Sequence, residues 1–132
     1  MANDAGLIRD EVKLCRDGIK TNYRKDSSCY ICGDTEDLQL HHFSSVAQLW
    51  EQWKRKNKIV IKTEDDMYEQ RNYFYDDKYN LLVNECVTLC SSCHNLRLHK
   101  IYGKSPSLAT AKKQKRWVDI QRHKRLGNEM AR

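Results

Sequence analysis

The sequence predicts a small α+β domain that is stapled by zinc and flanked by α-helices. Two Cys-x-x-Cys pairs, Cys29–Cys32 and Cys90–Cys93, lie 58 to 64 residues apart along the chain. Each pair presents two sulfurs to a common point, so the four thiolates suit one tetrahedral zinc ion. With 39% hydrophobic residues and a mean hydropathy of −0.86, the core must be thin. A structural metal is one way to stabilise such a core.

Six cysteines could instead form three disulfides in a secreted domain. The chain begins Met1-Ala-Asn-Asp-Ala-Gly, without an apolar signal segment, and no stretch is long and apolar enough to span a membrane. We therefore expect zinc, a cytoplasmic protein and no membrane partner. Cys15 and Cys86 lie outside the two pairs, and we expect both to be small buried hydrophobes.

The N-terminal region predicts a helix, a loop and a short strand. Apolar residues recur at helical steps of three and four at Ile8, Val12, Cys15 and Ile19. The turn-rich residues 22–28 then form a loop before the first Cys pair. Beyond that pair, residues 38–40 alternate as in a β-strand and lead directly to the doublet His41-His42.

Two helices are predicted between the doublet and the second Cys pair. Ser44 or Ser45 caps the first, which buries a face that includes Trp50 and Trp53. Thr63 and Asp66 form a capping box at the start of the second. After it, residues 81–83 and 86–89 have β propensity. A short helix follows Cys93, and Ser107 caps a final helix that ends near Gly127.

The order strand, His-His, strand, helix and trailing His resembles the HNH nuclease family, the ββα-metal fold. The resemblance covers about residues 29–103 and rests on the two Cys pairs, His41-His42-Phe43, Val87-Thr-Leu-Cys90 and Cys93-His94. The ending His99-Lys-Ile-Tyr-Gly103 and the long insert are similar to phage-encoded and homing-type members. The resemblance divides the chain into an N-terminal helix and loop (1–27), an HNH domain (28–103) with a helical insert (44–80), and a basic C-terminal helix (104–132).

The resemblance also implies roles for the histidines. Adjacent residues on a strand point to opposite sides, so His41 would bind a divalent cation and His42 would act as the general base. His94 would be the second metal ligand. His99 follows His94 by five residues, which is about 140° around an ideal helix. Metal ligation and phosphate contact both stay open for His99.

The middle Asn of the motif, which orients the base, is assigned to Asn84. In the family this residue usually precedes the third cysteine by five positions, whereas Asn84 precedes Cys90 by six. Glu85 occupies the usual position, and Asn80 is a second rival.

Together these features predict a metal-dependent DNA endonuclease. Phosphodiester hydrolysis needs a deprotonated water, in-line attack and neutralisation of charge, which an imidazole base and a divalent cation can supply. We expect a structural Zn²⁺ and a catalytic Mg²⁺ or Mn²⁺, with Ni²⁺ and Zn²⁺ as alternatives. One such centre cuts one strand, so a monomer should nick DNA in the host cytoplasm, with other phage proteins as further partners.

Net charge supports a nucleic-acid partner. The chain carries +6 with a pI near 9.0. We expect the final helix to contact DNA phosphates through Lys112, Lys113, Lys115, Arg116, Arg122, Lys124 and Arg125. Every expected catalytic residue precedes Gly103, and a solvated face that serves solubility alone stays open as the alternative for this helix.

Two other functions were weighed. The first is a catalytically silent zinc-knuckle module that binds nucleic acid, but four zinc ligands would suffice for it and the extra histidines would have no purpose. The second is a zinc nucleobase deaminase, whose H-x-E and P-C-x-x-C signatures are absent because Phe43-Ser44 follows His42 and Leu89 precedes Cys90.

Overall fold

The computed structural model describes residues 11–130, and side chains as far as residue 127. Residues 11–17 form a helix, α1. The other main elements are β1 (Leu38–His42), α2 (Val46–Asn57), α3 (Glu64–Tyr79), β2 (Cys86–Cys90), α4 (His99–Tyr102) and α5 (Ala111–Met130). Short 3₁₀ turns lie at Lys20–Asn22 and Leu108–Thr110, and π-helical turns lie at Asn80–Asn84 and Ser92–Leu98. The α+β prediction is confirmed, while Ile8 of the predicted first helix lies outside the described residues.

The two strands form an antiparallel pair whose register places Cys90 and the histidine doublet at opposite ends. Leu38 pairs with Cys90 at one end, and His42 pairs with Cys86 at the other. The first Cys pair is tied to the sheet by the Tyr30 N–H, which donates to the Thr88 carbonyl at 2.9 Å. Gly33 has φ +80°, a conformation that glycine adopts without strain, and it turns the chain after Cys32. One end of the sheet therefore carries the thiols and the other end carries the histidine doublet.

The predicted helix caps are confirmed. Ser45 caps α2 by accepting a hydrogen bond from the Gln48 N–H, and α2 ends at Lys58 in a left-handed conformation. Thr63 and Asp66 bond to each other's backbone in both directions at the start of α3. Four side chains of α2 are buried, as predicted for the face that carries Trp50 and Trp53.

The predicted β propensity of residues 81–83 is wrong, because the chain stays helical there. Asn80–Asn84 continues α3 as a π-turn that is closed by the Glu85 N–H on the Asn80 carbonyl at 3.0 Å. Leu82 is fully buried in this conformation. Leucine is a good helix former and Val83 is the segment's sole β-branched residue, so burial of Leu82 on the helical side decides the outcome. The last helix also runs beyond Gly127, to Met130.

The protein has two hydrophobic cores. The first lies between α1, α2 and α3 and is dominated by fully buried Trp50, Phe74 and Leu82, together with Cys15. The second surrounds the four paired cysteines and is closed on one side by Val118 of α5. None of the described helices is long and apolar enough to cross a membrane.

Buried polar contacts fasten α1 to α2. Glu11 is 2% exposed, and its Oε1 accepts hydrogen bonds from Trp50 Nε1 and Lys54 Nζ, both at 2.8 Å. Because a buried carboxylate is stable only when it is paired and hydrogen-bonded, these contacts hold α1 in one orientation. That orientation brings Arg16 to the same cleft as the histidines.

Candidate active site

The four paired cysteines converge as the spacing predicts. The sulfurs of Cys29, Cys32, Cys90 and Cys93 all lie within 4.8 Å of one another, and the Cys32 and Cys90 sulfurs are 3.6 Å apart. Four sulfurs at about 2.3 Å from one zinc ion would be about 3.8 Å apart. All six cysteines are free. The paired thiols therefore form a cluster that can hold a metal such as zinc, with Cys15 buried elsewhere and Cys86 partly buried.

Three of the histidines form a second group. One ring nitrogen each of His41, His94 and His99 lies within 4.8 Å of the others, and the His94 and His99 ring centroids are 4.3 Å apart. His99 reaches this position because Ser92–Leu98 is a π-turn in which the His99 N–H bonds to the His94 carbonyl. Such a turn brings residues five apart onto nearly one face. The ideal-helix angle of about 140° does not apply here.

Hydrogen bonds orient two of these rings. His41 Nε2 lies 2.8 Å from Gln114 Oε1, and His94 Nδ1 lies 2.7 Å from Gln39 Oε1. Both amide oxygens only accept, so each of these ring nitrogens carries the proton. The remaining nitrogens, His41 Nδ1 and His94 Nε2, are 3.0 Å apart. The lone pairs of these two nitrogens therefore face each other. Two nitrogens that each bind one ion at about 2.1 Å, with a right angle at the ion, would have about the same separation.

His42 points to the opposite side of β1. Its Nε2 donates to the Leu82 carbonyl at 2.8 Å, and its ring packs edge-on against Tyr23 with centroids 5.0 Å apart. The carbonyl oxygen has no proton to give, so the lone pair of His42 is on Nδ1. The ring is thus held by backbone from the first π-turn, in the tautomer that leaves one nitrogen able to accept a proton.

All four rings are neutral at physiological pH. Burial lowers the pKa of His41 and that of His94 to about 4 in each case. Burial also lowers the pKa of His42 and that of His99 below the usual range. A neutral imidazole is the form that binds a metal or accepts a proton.

These rings line a cleft of about 570 Å³. Arg16 of α1 and Lys104, after α4, lie at the same cleft and give it a positive rim. None of the described α5 side chains, 111–127, lines it. The cleft therefore has the two features that a phosphate-binding catalytic site needs, cationic side chains and neutral imidazoles.

The three candidates for the middle Asn lie beside the π-turn and not against the His42 ring. Asn84 Nδ2 donates to Asn80 Oδ1 at 3.0 Å, which bridges the two ends of the turn. Glu85 pairs with Lys115 at 3.2 Å, and its carbonyl accepts from the Phe43 N–H. The turn that these two residues bridge also carries the Leu82 carbonyl, which accepts from His42 Nε2.

The seven basic residues expected to bind DNA do not share one face of α5. Lys115 pairs with Glu85, and Arg122 donates to the Tyr30 carbonyl and stacks on the Tyr30 ring. Arg125 also makes contacts within the protein. The side chains of the other four make no ion pair or hydrogen bond within residues 11–127. At about 100° per residue, they occupy an arc of about 120°: Lys112, Lys113, Arg116 and Lys124. This arc faces away from Gln114, which is buried on the other side of the helix.

Comparison with known families agrees with this arrangement. The family model of the phage T5 nicking endonucleases, described as the nicking endonuclease family, matches residues 1–130. The chain belongs to the nicking endonuclease family. No solved structure matches it. As a member of a family of phage nucleases that nick DNA, this nicking endonuclease has DNA as its substrate, in agreement with the expectation from the sequence.

Several residues of this site were not predicted from the sequence. Gln114 and Gln39, which orient two histidines, were not identified, and neither were Arg16 and Lys104 of the cleft. The final helix thus contacts the histidine group through Gln114 as well as carrying the basic residues. One signal was available: Gln114 lies on the apolar side of α5, four residues before Val118, and a polar side chain there needs a buried partner.

Proposed function

We propose that this nicking endonuclease is a metal-dependent HNH enzyme, and that His41, His94 and His99 hold its catalytic cation. The single observation that carries the proposal is the 3.0 Å separation of His41 Nδ1 and His94 Nε2, the two nitrogens to which the glutamine contacts assign lone pairs. Without a cation this arrangement is repulsive, because neither nitrogen has a proton to donate. His99, the first residue of α4, offers a third ring nitrogen as a metal ligand.

His42 is the general base in this proposal. It lines the same cleft as the three ligand histidines but approaches from the other side of β1. Its Nδ1 accepts the proton of the attacking water, and the Leu82 carbonyl stabilises the charged ring by accepting from Nε2. Asn84 and Asn80 are positioning residues that hold the turn carrying this carbonyl, and Glu85 has an ion pair of its own.

When bound, the cation would neutralise charge on the scissile phosphate and on the leaving oxygen. Three imidazoles suit Mn²⁺, Ni²⁺ or Zn²⁺ better than Mg²⁺, which prefers oxygen ligands. We therefore rank these transition ions above Mg²⁺ for this chain. The four thiols would separately hold one structural Zn²⁺ and complete the second core.

DNA contact is proposed at two places. Arg16 and Lys104 would bind the phosphates nearest the histidines because they line the cleft. The basic arc of α5 would contact phosphates of the flanking duplex, since it faces away from Gln114. Lys115, Arg122 and Arg125 are weaker candidates, because each already has a contact within the protein.

The test is conversion of supercoiled plasmid to the relaxed circle, with and without each divalent ion. Wild-type protein should nick only with metal. His42→Ala should lose nicking but bind DNA and zinc normally, because the base acts in the transition state. His123→Ala is the matched control, since His123 is an exposed histidine on α5. Metal-independent nicking, or wild-type rates in His42→Ala, would reject the proposal, and binding without any nicking would favour the silent zinc module.

A further inference from the structure

We propose that Gln114 is the positioning residue of the metal site and that it fixes the tautomer of His41 from the C-terminal helix. Gln114 is 0% exposed and lies on α5. The inference rests on the proposed function only for its purpose, since the tautomer itself is a property of the chain without metal. Gln114 does not line the cleft, so it acts through His41 and not on substrate.

The orientation of the Gln114 amide is determined by its other contacts. Its Nε2 donates to the Phe43 carbonyl at 3.2 Å and lies 2.9 Å from Thr110 Oγ1. A carbonyl oxygen only accepts, so the amide nitrogen must be on this side. The amide oxygen is therefore the atom that lies 2.8 Å from His41 Nε2.

This contact allows only one tautomer of the His41 ring. Its Nε2 must donate to Gln114 Oε1, which leaves the lone pair on Nδ1, the nitrogen 3.0 Å from His94. The opposite tautomer would place two acceptors face to face at the glutamine and a proton where the metal is proposed. The ring is buried, with 4% exposure, so water cannot easily replace the missing partner.

The amide of Gln114 connects α5 with the segment that carries His41. Gln114 also bonds to Phe43, two residues beyond His41, so α5 holds both the ring and the backbone that carries it. Partners that orient a ligating histidine typically change metal affinity by about 10- to 100-fold when they are removed. We expect an effect of this size here.

The first measurement is the tautomer of His41 in zinc-loaded wild-type protein with no second metal added. Long-range ¹H–¹⁵N correlation spectra distinguish a protonated Nε2 from a protonated Nδ1. A single Nε2-protonated form is expected. An Nδ1-protonated form, or an equal mixture of the two, overturns the proposal whatever the variants do.

The second measurement uses three variants. Gln114→Leu removes the acceptor at similar volume, Gln114→Glu keeps an oxygen for His41, and Gln121→Leu is the control on the same helix, where Gln121 instead accepts from Arg97. Gln114→Leu should mix the tautomers and weaken calorimetric Mn²⁺ affinity by about 10- to 100-fold. Gln114→Glu and the control should keep the tautomer and the affinity.

Each result separates the inference from the proposed function. A folded Gln114→Leu protein with wild-type tautomer and Mn²⁺ affinity overturns the inference, even if nicking is metal-dependent. If Gln114→Leu fails to fold, Gln114→Glu decides: loss of the Nε2-protonated form overturns the inference, and its retention supports it. Metal-independent nicking with the expected tautomer would reject the proposed function and leave the role of Gln114 standing.

Discussion

Removal of one zinc ligand should unfold the half of the protein that surrounds the thiols. Cys93→Ala and Cys15→Ala delete the same atom from two buried cysteines, 3% and 1% exposed respectively. Only Cys93 belongs to the cluster of paired thiols. The pair of variants therefore compares the loss of a ligand with the loss of a sulfur from a core.

The expected magnitudes differ by several-fold. Cys15→Ala removes one small buried group and should cost about 1 kcal/mol. Structural zinc typically contributes about 10–16 kcal/mol, so losing even half of it would remove about 5–8 kcal/mol. That is comparable with the whole stability of a small domain, about 5–15 kcal/mol. Leu89 and Leu98 are fully buried beside the thiols, and they would lose these packing contacts when the zinc is lost.

Hydrogen exchange read by mass spectrometry, with elemental analysis for zinc, is the assay. Cys93→Ala should lose zinc and should lose protection from exchange in β1, β2 and residues 91–102. Its α2 and α3 should exchange more slowly than those segments, because the first core contains none of the paired thiols. Cys15→Ala should keep about one zinc per chain and its protection. A Cys93→Ala protein with wild-type protection in β2 would refute this account of the second core.

Three further predictions test the other parts of the molecule. His42→Ala should lower the single-turnover nicking rate by about 10²–10⁴-fold at unchanged zinc content, and a wild-type rate would contradict its role as base. Charge reversal of Lys113 and Arg116 to Glu should reduce the log–log salt slope of DNA binding by at least about 1.8, at about 0.9 per lost contact. The nicking rate at saturating DNA should stay unchanged. An unchanged slope would mean that the basic arc of α5 contacts solvent and not DNA. Glu11→Ala should lower the free energy of unfolding in urea by about 1–3 kcal/mol, because it leaves the buried Trp50 N–H without an acceptor while Lys54 keeps its ion pair with Glu51. A loss well below about 1 kcal/mol would contradict that pairing.

Features that depend on neighbours in the sequence were predictable. The two Cys-x-x-Cys turns, the capping box at Thr63 and the Ser45 cap each depend on residues within four positions of one another. The strand that ends in the histidine doublet was also predictable, because alternation along a strand is a local pattern. The structure agrees with the sequence at each of these points.

Features that depend on helix geometry or on distant contacts were not predictable. The position of His99 stayed open because its angle to His94 changes with the type of turn, and nothing local distinguished a π-turn from an α-turn. Residues 81–83 were assigned wrongly for the same reason. Gln114 was missed because its partner, His41, lies 73 residues earlier in the chain, and a single sequence carries no direct record of such a pairing.

The π-turn at Ser92–Leu98 also bears on how this chain tolerates changes in length. In a regular helix one additional residue rotates everything after it by about 100°, which would have moved α4 and α5 relative to the sheet. Here the His99 N–H bonds to the carbonyl of His94, five positions earlier, so the π-turn holds the additional residue within the helical segment. Deletion of exposed Leu96 would restore a four-residue interval and still leave the two rings about 40° apart on one face. We therefore expect the histidine group to tolerate an interval of four residues in place of five.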